Sequence, residues 1–105
     1  MIIKIENDYL ENLYQGKSQK GKPKFSHEVE IKFVKTVDRL KFSDSLRDIK
    51  AQRSLNFEAL KGDMRGKYSV RVDKKYRLIL WIEKSEVILE DIIVIEDLTN
   101  HYKKV

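Results

Sequence analysis

The sequence predicts an α+β domain whose N-terminal strand and helices pack on one face of a mainly antiparallel sheet. Three observations carry this. A β-branched run, "MIIKI", opens the chain, helical periodicity fills the stretch after Ser26, and strand-like segments follow one another from Lys67 to the C-terminal region. Helices and strands segregated in this way define the α+β class. The 105 residues suffice for one modest core, so residues 1–105 are read as a single domain.

Each element has a local reason. "MIIKI" suits a first strand, and "DYLENLYQG" reads as a short helix ending at Gly16. "GKSQKGKPK" is polar, basic and linker-like. From Ser26, a capping residue, Val29, Phe33, Val37 and Leu40 recur at helical spacing, while Glu28 and Glu30 complement the helix dipole. Ser43 is expected to cap a second helix, with Asp44 in its first turn and Leu46 and Ile49 facing inward. "SLNFEALKG" leads into a basic hairpin, and "EVILEDIIVIED" is expected to be the most buried strand.

Composition narrows the function. With 41% hydrophobic and 37% charged residues, one Pro and four Gly, the chain is globular rather than low-complexity. A net charge of +5 favours an anionic partner: nucleic acid, an acidic protein or a membrane surface. The absence of cysteine excludes disulfides, thiolate metal sites and a cysteine nucleophile. No apolar stretch approaches the length of a membrane span and no leader is visible, so the expectation is a soluble cytoplasmic protein without a membrane partner.

The cations concentrate. Between Ala59 and Trp81 stand Lys61, Arg65, Lys67, Arg71, Lys74, Lys75 and Arg77, against the two carboxylates Asp63 and Asp73. Alternation along a strand puts Tyr68, Val70 and Val72 on one face and Lys67, Ser69 and Arg71 on the other. A three-residue loop, Asp73 to Lys75, aligns the apolar rows of the hairpin and sets Arg71 opposite Arg77. Two guanidinium groups about 5 Å apart repel by roughly 3 kcal/mol at an effective dielectric near 20. Solvent or a bound anion must relieve that repulsion, and a phosphate matches two planar forks. The competing reading is a charged, solvated sheet face that serves solubility. Tyr68, Tyr76 and Trp81 can stack bases, although tyrosines at alternate positions are more often core.

Other motifs are weaker. "GKS" at Gly16 to Ser18 is not a phosphate-binding loop, because the upstream glycine position holds Glu11. No His, Asp or Glu spacing forms a metal site, so neither metal nor cofactor is expected. His27 falls in the first turn of a helix as a surface residue. His101, with Asp97 and Tyr102 nearby, is suited to general acid/base chemistry on RNA.

Four motifs in order, Leu60-Lys61-Gly62, Gly66 to Arg71, Tyr76-Arg77 and Asp97 to Tyr102, resemble the RelE/ParE superfamily of type II toxin–antitoxin toxins. The "YLENLYQGK" segment and the two following helices resemble in particular its HigB branch, the plasmid maintenance killer proteins. The resemblance implies a RelE-like fold and a ribosome-dependent endoribonuclease that halts translation by cleaving A-site mRNA without metal. It further implies a HigA-like helix-turn-helix antitoxin as partner, beside ribosome and mRNA. By position, Arg71 and Arg77 would hold the scissile phosphate, and Lys61, Arg65 and Lys67 would contact RNA backbone, with Lys74 and Lys75 adding to the RNA-binding charge. His101 and Asp97 would assist proton transfer, and Tyr102 would stack on or orient the nucleotide. The chain departs from the family where Leu98, Thr99 and Asn100 separate Asp97 from His101. Two alternatives share the fold: a ParE-like gyrase inhibitor and a non-catalytic RNA-binding module.

Overall fold

A computed structural model describes residues 1–101. Five strands, β1 (Ile2–Ile5), β2 (Glu58–Ala59), β3 (Tyr68–Arg71), β4 (Arg77–Ser85) and β5 (Glu90–Thr99), form one sheet in the order β1-β5-β4-β3-β2. β1 pairs parallel with β5, and the remaining pairs are antiparallel. Three helices, α1 (Asp8–Tyr14), α2 (His27–Lys41) and α3 (Leu46–Ala51), intervene between β1 and β2. The mainly antiparallel α+β architecture is the one expected.

The helices start where short polar side chains satisfy free backbone amides. Asn7, Ser26 and Ser45 accept from the amides of Leu10, Val29 and Asp48. Ser45, not Ser43, therefore caps α3. Ser43 is buried, donates to the Arg39 carbonyl at 2.6 Å and so finishes α2 instead, which leaves Asp44 outside the helix. The inward stripe of α2, Val29, Phe33, Val37 and Leu40, packs with Leu10 and Ile49 against Val70, Leu78, Leu80, Ile93, Ile95 and Leu98. Each such aliphatic or aromatic side chain contributes about 1.5–3 kcal/mol of burial. Tyr68 stacks on Phe57 at 4.9 Å and Tyr76 meets Phe25 edge-on at 5.6 Å, so both tyrosines belong to this helix-covered side.

The hairpin register is the expected one. Arg71 faces Arg77 and Val70 faces Leu78, and the Val72 amide reaches the Tyr76 carbonyl. Asp73 closes the turn by accepting from the amides of Lys75 and Tyr76, so its carboxylate serves the backbone rather than Arg71. The first half of the expected last strand is a turn: Ser85 pairs with Glu90, and Val87 is 92% exposed. Pairing along β4 fixes the strand's start, and the aliphatic run beyond it is left in solvent. From Glu90 onward β5 lies between β1 and β4, with Ile93 to Ile95 buried.

Candidate RNA-binding face

With the helices on one side of the sheet, the alternate side chains of β3, β4 and β5 form a second, polar face. Register arranges them in rows. Arg71, Arg77 and Thr99 form one row across three strands, and Glu58, Ser69, Ile79 and Asp97 form the next. Adjacent strands lie about 4.8 Å apart, so each row spans roughly 10–15 Å.

A β-bulge adds to this face. Ile79 pairs with Asp97 but Leu80 pairs with Ile95, which leaves Glu96 as the extra residue of β5. Ile95 and Leu98 remain in the core, while Glu96 binds Lys67 on the polar side. Two consecutive carboxylates, Glu96 and Asp97, thus join Glu58 on the face that also carries Lys67, Arg71 and Arg77.

The two expected phosphate arginines differ sharply. Arg71 is exposed, whereas Arg77 is only 2% exposed. Its Nε donates to Ser69 Oγ at 2.7 Å, and its Nη2 donates to the carbonyl oxygens of Asn56 and Ser69. The expectation of two solvated forks gripping one phosphate is corrected here. Both arginines occupy one row, but Arg77 is sealed among protein acceptors that tie β3 to the loop before β2. Burying a guanidinium requires such partners, and Ser69 supplies two of them.

Lys67 also differs from expectation. Its ammonium binds both Glu96 carboxylate oxygens, at 2.6 and 2.8 Å, and stands 5.8 Å from the Trp81 ring centre. It is a paired cation. Lys61, Arg65, Lys74 and Lys75 are all exposed. The fold separates them: Lys61 and Arg65 flank the turn before β3, and Lys74 and Lys75 occupy the turn after it. Lys74 and Lys75 therefore sit at the Arg71 end, and Arg65 at the other.

Asp97 is exposed in the second row, and its Oδ1 accepts from the Leu98 amide. His101 is exposed just beyond β5, where its amide donates to Thr99 Oγ1 at 3.0 Å. Because Thr99 faces Arg77, His101 follows the strand end nearest the arginine row. Tyr102 lies outside the described residues. Among those described, no group of three or more His, Asp or Glu gathers to hold a metal ion, and no helix is long and apolar enough to cross a membrane.

Two residues of this face escaped the sequence reading. Glu58 is opposite Ser69, the residue that holds Arg77, but a two-residue strand offers no alternation to detect. Thr99 joins the arginine row only once the β4–β5 register is known.

This sheet and its helix arrangement are similar to those of bacterial toxins. A YoeB/ParE toxin from Agrobacterium tumefaciens aligns over 97% of this chain and all of its own, at 19% identity and a TM-score of 0.55. The YoeB–YefM complex from Staphylococcus aureus aligns over 97% of this chain and 98% of that one, at 21% identity and a TM-score of 0.51. No curated protein matches by sequence. The fold is thus of the RelE/YoeB toxin class. The chain belongs to the HigB-like toxin family, RelE-like toxins of type II toxin–antitoxin systems, whose model matches residues 3–93. That match ends before Asp97 and His101.

Proposed function

We propose that the protein is a ribosome-dependent endoribonuclease that cleaves mRNA in the A site and is restrained by a separately encoded antitoxin. The observation that carries this reading is the row Arg71–Arg77–Thr99 on the helix-free face, with Asp97 in the adjoining row and His101 just past the strand end. An antitoxin partner is supported by the family and by the similar fold in the YoeB–YefM complex.

In this mechanism Arg71 binds the scissile phosphate and neutralises the charge that grows on its oxygens. Arg77 acts from beneath: it fixes Ser69 and the Asn56 loop, and its buried charge adds to the potential at the same row. A base, His101 or a carboxylate of the second row such as Asp97 or Glu58, takes the proton of the ribose 2′-hydroxyl as that oxygen attacks phosphorus. The bond to the 5′-oxygen breaks, and an acid of the same cluster protonates the leaving group. Lys61, Arg65, Lys74 and Lys75 add backbone attraction at either end of β3. The ribosome supplies further positioning of the reacting groups.

The test is single-turnover cleavage of A-site mRNA on programmed ribosomes, with plasmid supercoiling measured in parallel. Cleavage with normal supercoiling supports the reading. Intact mRNA with inhibited gyrase would assign the protein to the ParE-like class. RNA binding without any cleavage would make it a non-catalytic module.

A further inference from the structure

We propose that Trp81 is a stacking platform for one base of single-stranded RNA, belonging to a nucleotide that neighbours the one held at Arg71. The proposal rests on the RNA-directed reading above and adds a subsite to it.

Trp81 follows Arg77 and Ile79 on the same face of β4. Unlike Tyr68 and Tyr76, whose rings are engaged by Phe57 and Phe25, it does not pack with the helix-covered core and remains partly exposed. The indole N–H donates to Glu83 at 3.1 Å, and the Lys67 ammonium, held by its two bonds to Glu96, lies over the ring at 5.8 Å from its centre, close enough to orient the indole and far enough to leave part of its surface to a ligand. Val94, directly opposite, and Ile79, two residues along, are fully buried. The indole is therefore flanked by a sealed apolar strip.

Charge and distance select the ligand group. The Lys67 charge beside the indole is compensated by Glu96, so the ring itself offers a neutral, planar, apolar surface, while the exposed Lys61 and Arg65 at the same end of β3 remain for backbone phosphates. Every nucleobase presents such a π-face, and stacking on an aromatic side chain tolerates any base. Trp81 lies four positions along the strand from Arg77, about 13 Å, which places the stacked base beyond the nucleotide whose phosphate lies at Arg71. The Lys67–Glu96 pair acts as a positioning wall for the ring.

Trp81 is the only tryptophan, so its emission reports on this site alone. The full chain is titrated with a short 2′-O-methyl RNA, which cannot be cleaved, while Trp81 emission and RNA anisotropy are followed together. Emission should be quenched in step with binding, and RNA lacking individual bases but keeping every phosphate should bind more weakly at one position. Trp81→Phe should keep most of the affinity, and Trp81→Leu, similar in apolar character but without a π-face, should lose about 5- to 150-fold. Thermal melts confirm that both variants are folded.

Binding in anisotropy with unchanged emission, and Trp81→Leu as tight as the parent, would overturn the subsite and leave the proposed endonuclease standing. If free RNA is not bound, the same variants are compared on programmed ribosomes, where equal cleavage by Trp81→Leu and parent overturns the subsite. Absence of both RNA binding and ribosomal cleavage removes the proposed function and this inference together. Emission that responds to a purified protein partner but not to RNA would overturn the choice of ligand.

Discussion

Arg71 and Arg77 face each other across β3 and β4, yet one guanidinium is in solvent and the other is sealed onto Ser69 and the Asn56 carbonyl. Cross-strand pairing brought the two cations together, and burial gave them different work. The like-charge repulsion between them is eased because Arg77 is surrounded by oxygen acceptors while Arg71 keeps its water.

The two substitutions should therefore separate. Arg71→Ala should leave stability within about 0.5 kcal/mol, as is usual for an exposed side chain, while lowering single-turnover cleavage about 10²- to 10³-fold. Arg77→Ala should cost about 3 kcal/mol in denaturant unfolding, because it deletes charge-assisted bonds to buried acceptors. Equal stability of the two variants would contradict the division.

His101 is expected to act in proton transfer. His101→Ala should reduce cleavage by about 10²- to 10⁴-fold with ribosome binding little changed. Cleavage at the parent rate would make His101 a bystander, and parallel Asp97→Asn and Glu58→Gln variants would then locate the base.

Glu96 restrains Lys67. Glu96→Gln should free that ammonium for a phosphate, tighten RNA binding at low salt and steepen the dependence of log K on log salt by about 0.7, one additional contact with single-stranded nucleic acid. Lys67→Ala in the otherwise unchanged protein should alter the slope little. Titrations at several salt concentrations measure both.

Tyr14 of α1 donates to Asp38 of α2 at 2.6 Å, and this bond, with some burial and the carboxylate's charge, pushes the phenol from 10.0 up to about 12. The folded state thus holds the proton more tightly than the unfolded chain. The stabilisation is fully present below pH 10 and is lost as pH rises through about 12. Tyr14→Phe should flatten the decline in stability between pH 10 and 12, and absorbance titration should show one late phenol.

The sequence made the core legible because it is periodic: Val29, Phe33, Val37 and Leu40 on α2 and the alternating β3 and β4 residues all reached the interior expected of them. Ser43 and Ser45 were indistinguishable as caps, since both precede the same short helix and only the end of α2 decides between them. "EVIL" was misread because β-branched residues favour strands wherever they stand, whereas the β4–β5 register ends the ladder at Ser85 and Glu90. The opposition of Arg71 and Arg77 followed from alternation and loop length alone. Burial of one of them did not, because the Asn56 loop that receives Arg77 lies far away in sequence. The same holds for the Lys67–Glu96 pair, whose members are separated by 29 positions and a bulge.

The bulge at Glu96 has one more consequence. Ile95 and Asp97 already occupy the sides of the sheet they would occupy in an unbroken ladder, so excising Glu96 would shorten β5 by a residue without turning any other side chain over. Loss at that point edits the acidity of the helix-free face and leaves the hydrophobic register intact. A lineage carrying this fold has there a site where length variation can retune one face while the other is conserved by geometry.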